Sequence, residues 1–138
     1  MKSAGIPGLN VQWPWSQLLI SKVKTVETRS YPLPERFRNI EIALIETPGH
    51  LGRLKRNNIS TKIVGTITFS GSYQYSNLAE WKNDFERHRV PDDNPDFKFV
   101  TGIPKWAWVV SGVKKFDSPK EPPVSKGYVF AKNCLVDL

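Results

Sequence analysis

The chain has 138 residues, of which 39% are hydrophobic, 12% aromatic and 24% charged. This length suits a single domain over 1–138, and the apolar fraction is sufficient for a packed core, which excludes a wholly disordered protein. The lone cysteine, Cys134, excludes an internal disulfide, and no Cys/His cluster has the spacing of a zinc site. No signal peptide and no continuous apolar run of about 20 residues is visible, so we expect a cytoplasmic protein without membrane segment or cofactor.

The charge balance points to an anionic partner. Lys and Arg total 20 against 13 Asp and Glu, a formal net charge of +7, and residues 1–60 hold nine of the basic and four of the acidic side chains. A basic surface attracts polyanions, nucleic acid above all. Charge alone leaves two interpretations open, a nucleic-acid contact surface or a soluble domain that is only modestly basic.

The first periodic segment spans residues 14–22. Trp15, Leu18 and Leu19 follow the i, i+3, i+4 spacing of one helical face, and Pro14 suits the first helical position, so we predict a helix of two to three turns. Residues 25–31 follow at once, are rich in β-branched side chains and alternate in polarity, which predicts a strand.

In the remainder of the chain, apolar and β-branched runs predict the strands and helix, and Gly, Pro, Asn and Asp mark the turns between them. Further strands are predicted at 41–47, 62–69, 105–116 and 128–131. A helix is predicted at 77–88, where Asn77 and Glu80 form a capping-box pattern. The segment 50–58 is either a short helix or a loop, and 89–104 is predicted to be a long loop, a kind of segment that is often functional.

Five or six strands and two or three helices, without a βαβ rhythm or an internal repeat, predict an α+β fold. We expect a small, mainly antiparallel β-barrel flanked by two or three helices. We also expect a monomer, although the sequence leaves the oligomeric state open.

The junction between the first helix and the following strand carries the most chemistry. On a strand, Glu27 and Arg29 share one face about 7 Å apart, and Lys24 lies at the turn before them. An ammonium, a carboxylate and a guanidinium so placed could grip an anionic or amide-bearing ligand. The alternative is an ordinary exposed Glu–Arg pair that contributes little energy, beside a solvated lysine.

At this junction the sequence resembles a known family. The runs 13–19 (Trp-Pro-Trp-Ser-Gln-Leu-Leu) and 24–30 (Lys-Thr-Val-Glu-Thr-Arg-Ser) resemble the signature of ASCH domains in the PUA-like superfamily, where a Pro-Trp helix leads into a Gly-x-Lys-x-x-Glu-x-Arg motif. The run 105–110 is similar to that family's aromatic-Ala-Trp strand, and 113–128 fits its last barrel hairpin. The motif's glycine is replaced by Lys22.

The resemblance implies a β-barrel with a cleft between the first helix and the barrel, and a ligand that is RNA, a nucleotide or a modified nucleoside. Lys24 and Arg29 would contact phosphate or carbonyl oxygens, and Glu27 would accept from a base edge or orient Arg29. Ser30 would also line the cleft. Trp15 either stacks on a base or anchors the first helix in the core.

The resemblance also leaves an enzyme possible. One ASCH branch hydrolyses the acyl amide of acetylated cytidine with a Lys–Thr–Glu set, and at least one member has been described as a ribonuclease. By motif position the lysine corresponds to Lys24, the catalytic candidate if this chain is an enzyme, whereas the threonine falls on Glu27. Whether the chain is an enzyme therefore stays open, and a protein-interaction module is a third hypothesis.

Other polar residues point to no metal or nucleophile. His50 and His88 have no carboxylate or cysteine at ligand spacing and are predicted to lie on the surface. The acidic run 92–96 lacks the glycine and distal glutamate of a calcium loop and is predicted to be a solvated turn. No metal site is expected.

Overall fold

A computed structural model describes residues 3–49, 60–122 and 129–137. Six strands form one sheet, in chain order β1 (Ser3–Gln12), β2 (Val26–Arg29), β3 (Glu41–Thr47), β4 (Lys62–Gln74), β5 (Trp106–Lys120) and β6 (Phe130–Asp137). The helices are α1 (Trp15–Ile20), α2 (Leu78–Asn83) and α3 (Phe85–His88), with a single 3₁₀ turn at Glu35–Phe37. The predicted segment 50–58, and residue 128 of the last predicted strand, lie outside the described residues.

The sheet is mixed and its spatial order is β2-β5-β4-β3-β1-β6. β1 and β3 run parallel, and the other four pairings are antiparallel. The predicted α+β class and the mainly antiparallel pairing are therefore confirmed.

The predicted barrel is not confirmed, because the described strands do not close on themselves. β2 and β6 are the two edges of the sheet, and no pairing of their backbones joins them. The sheet instead curls until β2 approaches β1, and a side chain makes the connection: Arg29 Nη2 donates to the Asn10 carbonyl at 2.9 Å.

β1 was not predicted from the sequence, since Gly5, Pro7 and Gly8 give this segment low strand propensity. It is nevertheless paired on both sides, with β3 and with β6, so tertiary pairing overrides local preference. Gly8 has a packing role here, because a Cβ at this position would lie 2.7 Å from the Cys134 Sγ and 2.9 Å from Ile45 Cδ1.

The predicted helix 77–88 is instead two short helices. Asn77 caps α2 as expected, with its side chain accepting from the Glu80 amide at 2.9 Å, and the Glu80 carboxylate accepts from the Ser76 amide at 2.6 Å. The break falls at Asp84, whose buried carboxylate accepts from the hydroxyl of Tyr75, the residue that follows β4. Holding Asp84 against the sheet interrupts the regular helix.

The main core lies between the sheet, α1 and α2, and includes Leu19, Val26, Trp81 and Trp108 among its fully or nearly fully buried side chains. A smaller cluster around Cys134 packs β3 and β4 against β6. Within the described ranges no helix has the length and apolar character needed to cross a membrane.

Candidate functional site

The end of α1 sets the position of the candidate site. Helix α1 ends at Ile20 with Ser21 as its C-cap, and Lys22 adopts a left-handed conformation with φ of 68°. This is the position at which the resembled motif has glycine, the residue that adopts this conformation most easily. The Lys22 amide donates to the Leu19 carbonyl and the Lys24 amide to the Leu18 carbonyl, so the turn closes on the helix and delivers Lys24 to the start of β2.

Lys24 is buried, not solvated, with 1% of its surface exposed. Its Nζ donates to the His88 carbonyl at 2.6 Å, lies 3.9 Å from Glu27 Oε1, and stands 5.6 Å from the centroid of the Trp15 ring. Burial lowers the pKa of Lys24 to about 8, and the nearby Glu27 carboxylate offsets part of that effect. At pH 7 roughly one-tenth of the amine is therefore neutral, far more than for an ordinary lysine.

Glu27 and Arg29 share one face of β2, as the alternation predicted. Arg29 Nη2 donates to Glu27 Oε2 at 2.8 Å, and the exposed fractions of the two side chains are 19% for Arg29 and 8% for Glu27. The guanidinium also stands 5.7 Å from the Trp108 ring centroid. The pair is thus largely buried and fixed by several contacts, which excludes the interpretation as an ordinary exposed ion pair.

These side chains surround a hollow of about 260 Å³, which we call the cleft. Its walls come from the end of β1, α1, β2, Thr47 at the end of β3, Val129, and the loop after α3. Of the residues predicted to bind a ligand, four line the cleft: Trp15, Lys24, Glu27 and Arg29. Ser30 does not line it, because this residue lies exposed in the bend after β2.

The loop 89–104 forms one wall of the cleft, through Val90 and Phe97. The Phe97 ring meets the Trp15 ring nearly at right angles, with centroids 5.6 Å apart. Lys105 Nζ donates to the Phe97 carbonyl and fixes the loop from the other side. Sequence reasoning missed Phe97, because nothing local marks one aromatic residue of a long loop as a partner of α1.

Two buried donors at the cleft have no acceptor among the residues that the structure describes. They are the indole Nε1 of Trp15 and the Nε of Arg29. Buried polar groups in native proteins are nearly always hydrogen-bonded, and an unmade bond costs roughly 1–3 kcal/mol. Both donors belong to residues that line the cleft.

His88 is fully buried, so its predicted surface position is wrong. Its ring stacks on Trp81 with centroids 4.5 Å apart, and Nε2 lies 2.7 Å from the Trp81 carbonyl while Nδ1 accepts from the Val90 amide at 2.9 Å. Both contacts suit the neutral ring with its proton on Nε2, and burial lowers the pKa of His88. His88 serves the site through its carbonyl, which holds Lys24.

Metal binding has no structural support in the part of the chain that is described. Across residues 3–49, 60–122 and 129–137, no three His, Cys, Asp or Glu side chains cluster as metal ligands. The acidic run 92–96 lies in the exposed loop, where Asp92 Oδ2 is 3.4 Å from Lys82 Nζ.

Comparison with known proteins supports the fold. No protein-family model matches the sequence, and a search of curated proteins finds no match. The crystal structure of ASCH from Zymomonas mobilis matches with a TM-score of 0.62 and 16% identity, over 83% of this chain and 72% of that one. A single-site variant of the same protein matches with a TM-score of 0.65 and 13% identity, over 91% of this chain and 86% of that one. The chain therefore has the fold of ASCH domain proteins, as its sequence motifs predicted.

Proposed function

We propose that this domain binds one nucleotide unit, either free or as an unpaired residue of RNA, in the cleft. The observation that carries the proposal is the convergence of Lys24, Glu27 and Arg29, with Trp15, on one hollow. The ASCH fold and the motif that supplies these residues agree with such a ligand.

Charge favours an anionic ligand. Two cations and one carboxylate line the cleft, and the whole chain carries a formal charge of +7. Lys24 has one acceptor at hydrogen-bond distance, the His88 carbonyl, so its ammonium keeps donors for a phosphate or carbonyl oxygen. The net positive potential also raises the encounter rate with nucleic acid.

Size and aromatic content favour a single base over a duplex. The hollow of about 260 Å³ lies just below the range of roughly 300–1,000 Å³ that is typical of pockets for drug-sized molecules. Trp15 and Phe97 place two aromatic rings at its wall, and such rings bind an unpaired base either by stacking or, for tryptophan, through the indole N–H.

The test is calorimetric titration of the protein with the four ribonucleoside monophosphates and with a short single-stranded RNA. We expect binding that Lys24→Met weakens by about tenfold or more, because the substitution removes a buried charge while keeping the length of the side chain. Lys114→Met is the matched control, since Lys114 is exposed on β5 away from the cleft. Absence of binding, or equal losses in the two variants, contradicts the proposal.

A second candidate is hydrolysis of an N4-acylated cytidine or of RNA, with Lys24 as the catalytic residue. It is favoured by one observation, a buried amine with a pKa of about 8 that lies 3.9 Å from a carboxylate. Such an amine can act as a base or nucleophile near neutral pH. The threonine of the amidohydrolase branch is replaced by Glu27, so the Lys–Thr–Glu mechanism of that branch cannot operate unchanged in this chain.

Turnover separates the two candidates. The protein is incubated with N4-acetylcytidine, or with single-stranded RNA, and products are followed by chromatography. An enzyme releases cytidine or RNA fragments, and Lys24→Arg abolishes release because arginine stays protonated. A binding domain produces no product at any pH while still binding the nucleotide.

A further inference from the structure

Two N–H donors of the cleft have no acceptor within the described part of the chain, and they favour a base whose edge carries hydrogen-bond acceptors. We propose that the cleft selects a one-ring base that turns two carbonyl oxygens toward the protein, as uracil does. This inference rests on the proposed function and names its ligand class. It starts from Trp15 Nε1 and Arg29 Nε, which are both buried and without acceptors.

Both oxygens of the Glu27 carboxylate, by contrast, already face donors of the protein. Glu27 Oε2 accepts from Arg29, and Oε1 accepts from the Thr28 amide at 3.2 Å and faces the Lys24 ammonium. A base that turns an amino group toward these side chains therefore places its own N–H donors against N–H donors of the protein, and no hydrogen bond forms. A base that presents carbonyl oxygens satisfies Trp15 and Arg29 together.

The dimensions of the cleft favour one ring over two. A one-ring base needs less of the hollow of about 260 Å³ than a two-ring base does, and Phe97 occupies one side of the hollow against the Trp15 ring. Both free donors are shielded from solvent in this arrangement, so the base reaches them only if the wall of the cleft opens. Ribose and phosphate then remain at the mouth of the cleft.

The four standard bases differ in this respect. Uracil has two carbonyl oxygens, one on each side of N3. Cytosine keeps O2 and N3 as acceptors, but it has an amino donor in place of the second carbonyl oxygen, and that donor would face the Lys24 and Arg29 donors of the cleft. Adenine also presents an amino donor, and guanine presents an acceptor pair but has two rings. Uracil is therefore the base that combines one ring with two carbonyl acceptors.

The first test compares uridine and cytidine 5′-monophosphates, with the guanosine and adenosine monophosphates as further ligands, by calorimetry on the whole chain. The two pyrimidine nucleotides carry the same ribose and phosphate, so the difference between them reports the base edge alone. We expect the uridine nucleotide to bind at least about tenfold more tightly than each of the others. Equal or tighter binding of another nucleotide overturns this inference and leaves the proposed function standing. Absence of binding by all four contradicts the proposed function itself.

The second test removes one donor and keeps an aromatic ring. Trp15→Phe should weaken binding of the uridine nucleotide by about tenfold and change binding of the cytidine nucleotide much less. Trp106→Phe is the control, because Trp106 is half-buried on β5 and does not line the cleft. Unchanged discrimination in a folded Trp15→Phe variant refutes the role of the indole.

A third measurement needs no variant and so does not depend on the folding of Trp15→Phe. Replacing the 4-oxygen of the uridine nucleotide by sulfur makes a weaker acceptor of similar shape. We expect 4-thiouridine 5′-monophosphate to bind the wild-type protein several-fold more weakly than the oxygen compound. Equal or tighter binding contradicts a hydrogen bond at that position.

Discussion

Removal of the Glu27 charge tests the electrostatics of the cleft. Glu27→Gln keeps the shape of the side chain, but it leaves Lys24 and Arg29 without the carboxylate that faces both of them. The exposed fractions of these three side chains are 1% for Lys24, 8% for Glu27 and 19% for Arg29, so water replaces little of the lost interaction.

The expected loss follows from this burial. Removal of one partner from a buried ion pair typically costs about 3–5 kcal/mol, because a charge is left buried and unpaired. We take the lower end, about 3 kcal/mol, since Arg29 keeps the Asn10 carbonyl and Lys24 keeps the His88 carbonyl. For a chain of this length that loss corresponds to a fall of about 10 °C in the unfolding midpoint.

The assay is urea unfolding at pH 7, combined with NMR titration of the lysine side chains. Glu27→Gln should also lower the pKa of Lys24 below its wild-type value of about 8, because Glu27 raises it in the native protein. Glu35→Gln is the control, since the Glu35–Arg38 pair is exposed and should contribute at most about 1 kcal/mol. Equal losses for the two variants, or an unchanged Lys24 pKa, refute the reasoning.

Three further predictions concern stability. Lys22→Gly should stabilise the protein by up to about 1 kcal/mol in urea unfolding, because φ is 68° there, and any loss of stability contradicts this account of the turn. Since burial lowers the pKa of His88, the unfolded chain binds more protons below about pH 6.5, and stability should fall there. That acid-dependent loss should shrink in His88→Gln, and an equal loss in both proteins argues against it. Gly65→Ala should cost more than about 2 kcal/mol, because its Cβ would lie 2.1 Å from the Lys114 carbonyl oxygen. Gly71→Ala, which has open space around it, is the control and should have little effect.

The site was predictable from sequence where its chemistry is local. Glu27 and Arg29 are two residues apart on a strand, so alternation alone placed them on one face, and Lys24 follows from the turn before that strand. The left-handed Lys22 was identifiable only as the place where the motif has glycine. These residues are close in sequence, so short-range geometry was sufficient.

Long-range features were not predictable in the same way. Strand β1 depends on pairing with β3 and β6, and its own glycines and proline argue against a strand. His88 has no neighbour in sequence that marks it as buried, and the stack on Trp81 depends on how α2 and α3 pack together. The contact between Phe97 and Trp15 joins residues far apart in the chain, so the cleft wall emerged only in three dimensions.

The central claim is that a nucleotide occupies the cleft beside Trp15, and the indole N–H signals of the five tryptophans test it most directly. In a two-dimensional NMR titration with uridine 5′-monophosphate, we expect the Trp15 signal to shift most. The Trp81 signal should stay in place, because Trp81 is buried outside the cleft and its Nε1 also lacks an acceptor. A titration that leaves Trp15 unmoved, or that moves only tryptophans elsewhere, contradicts the account.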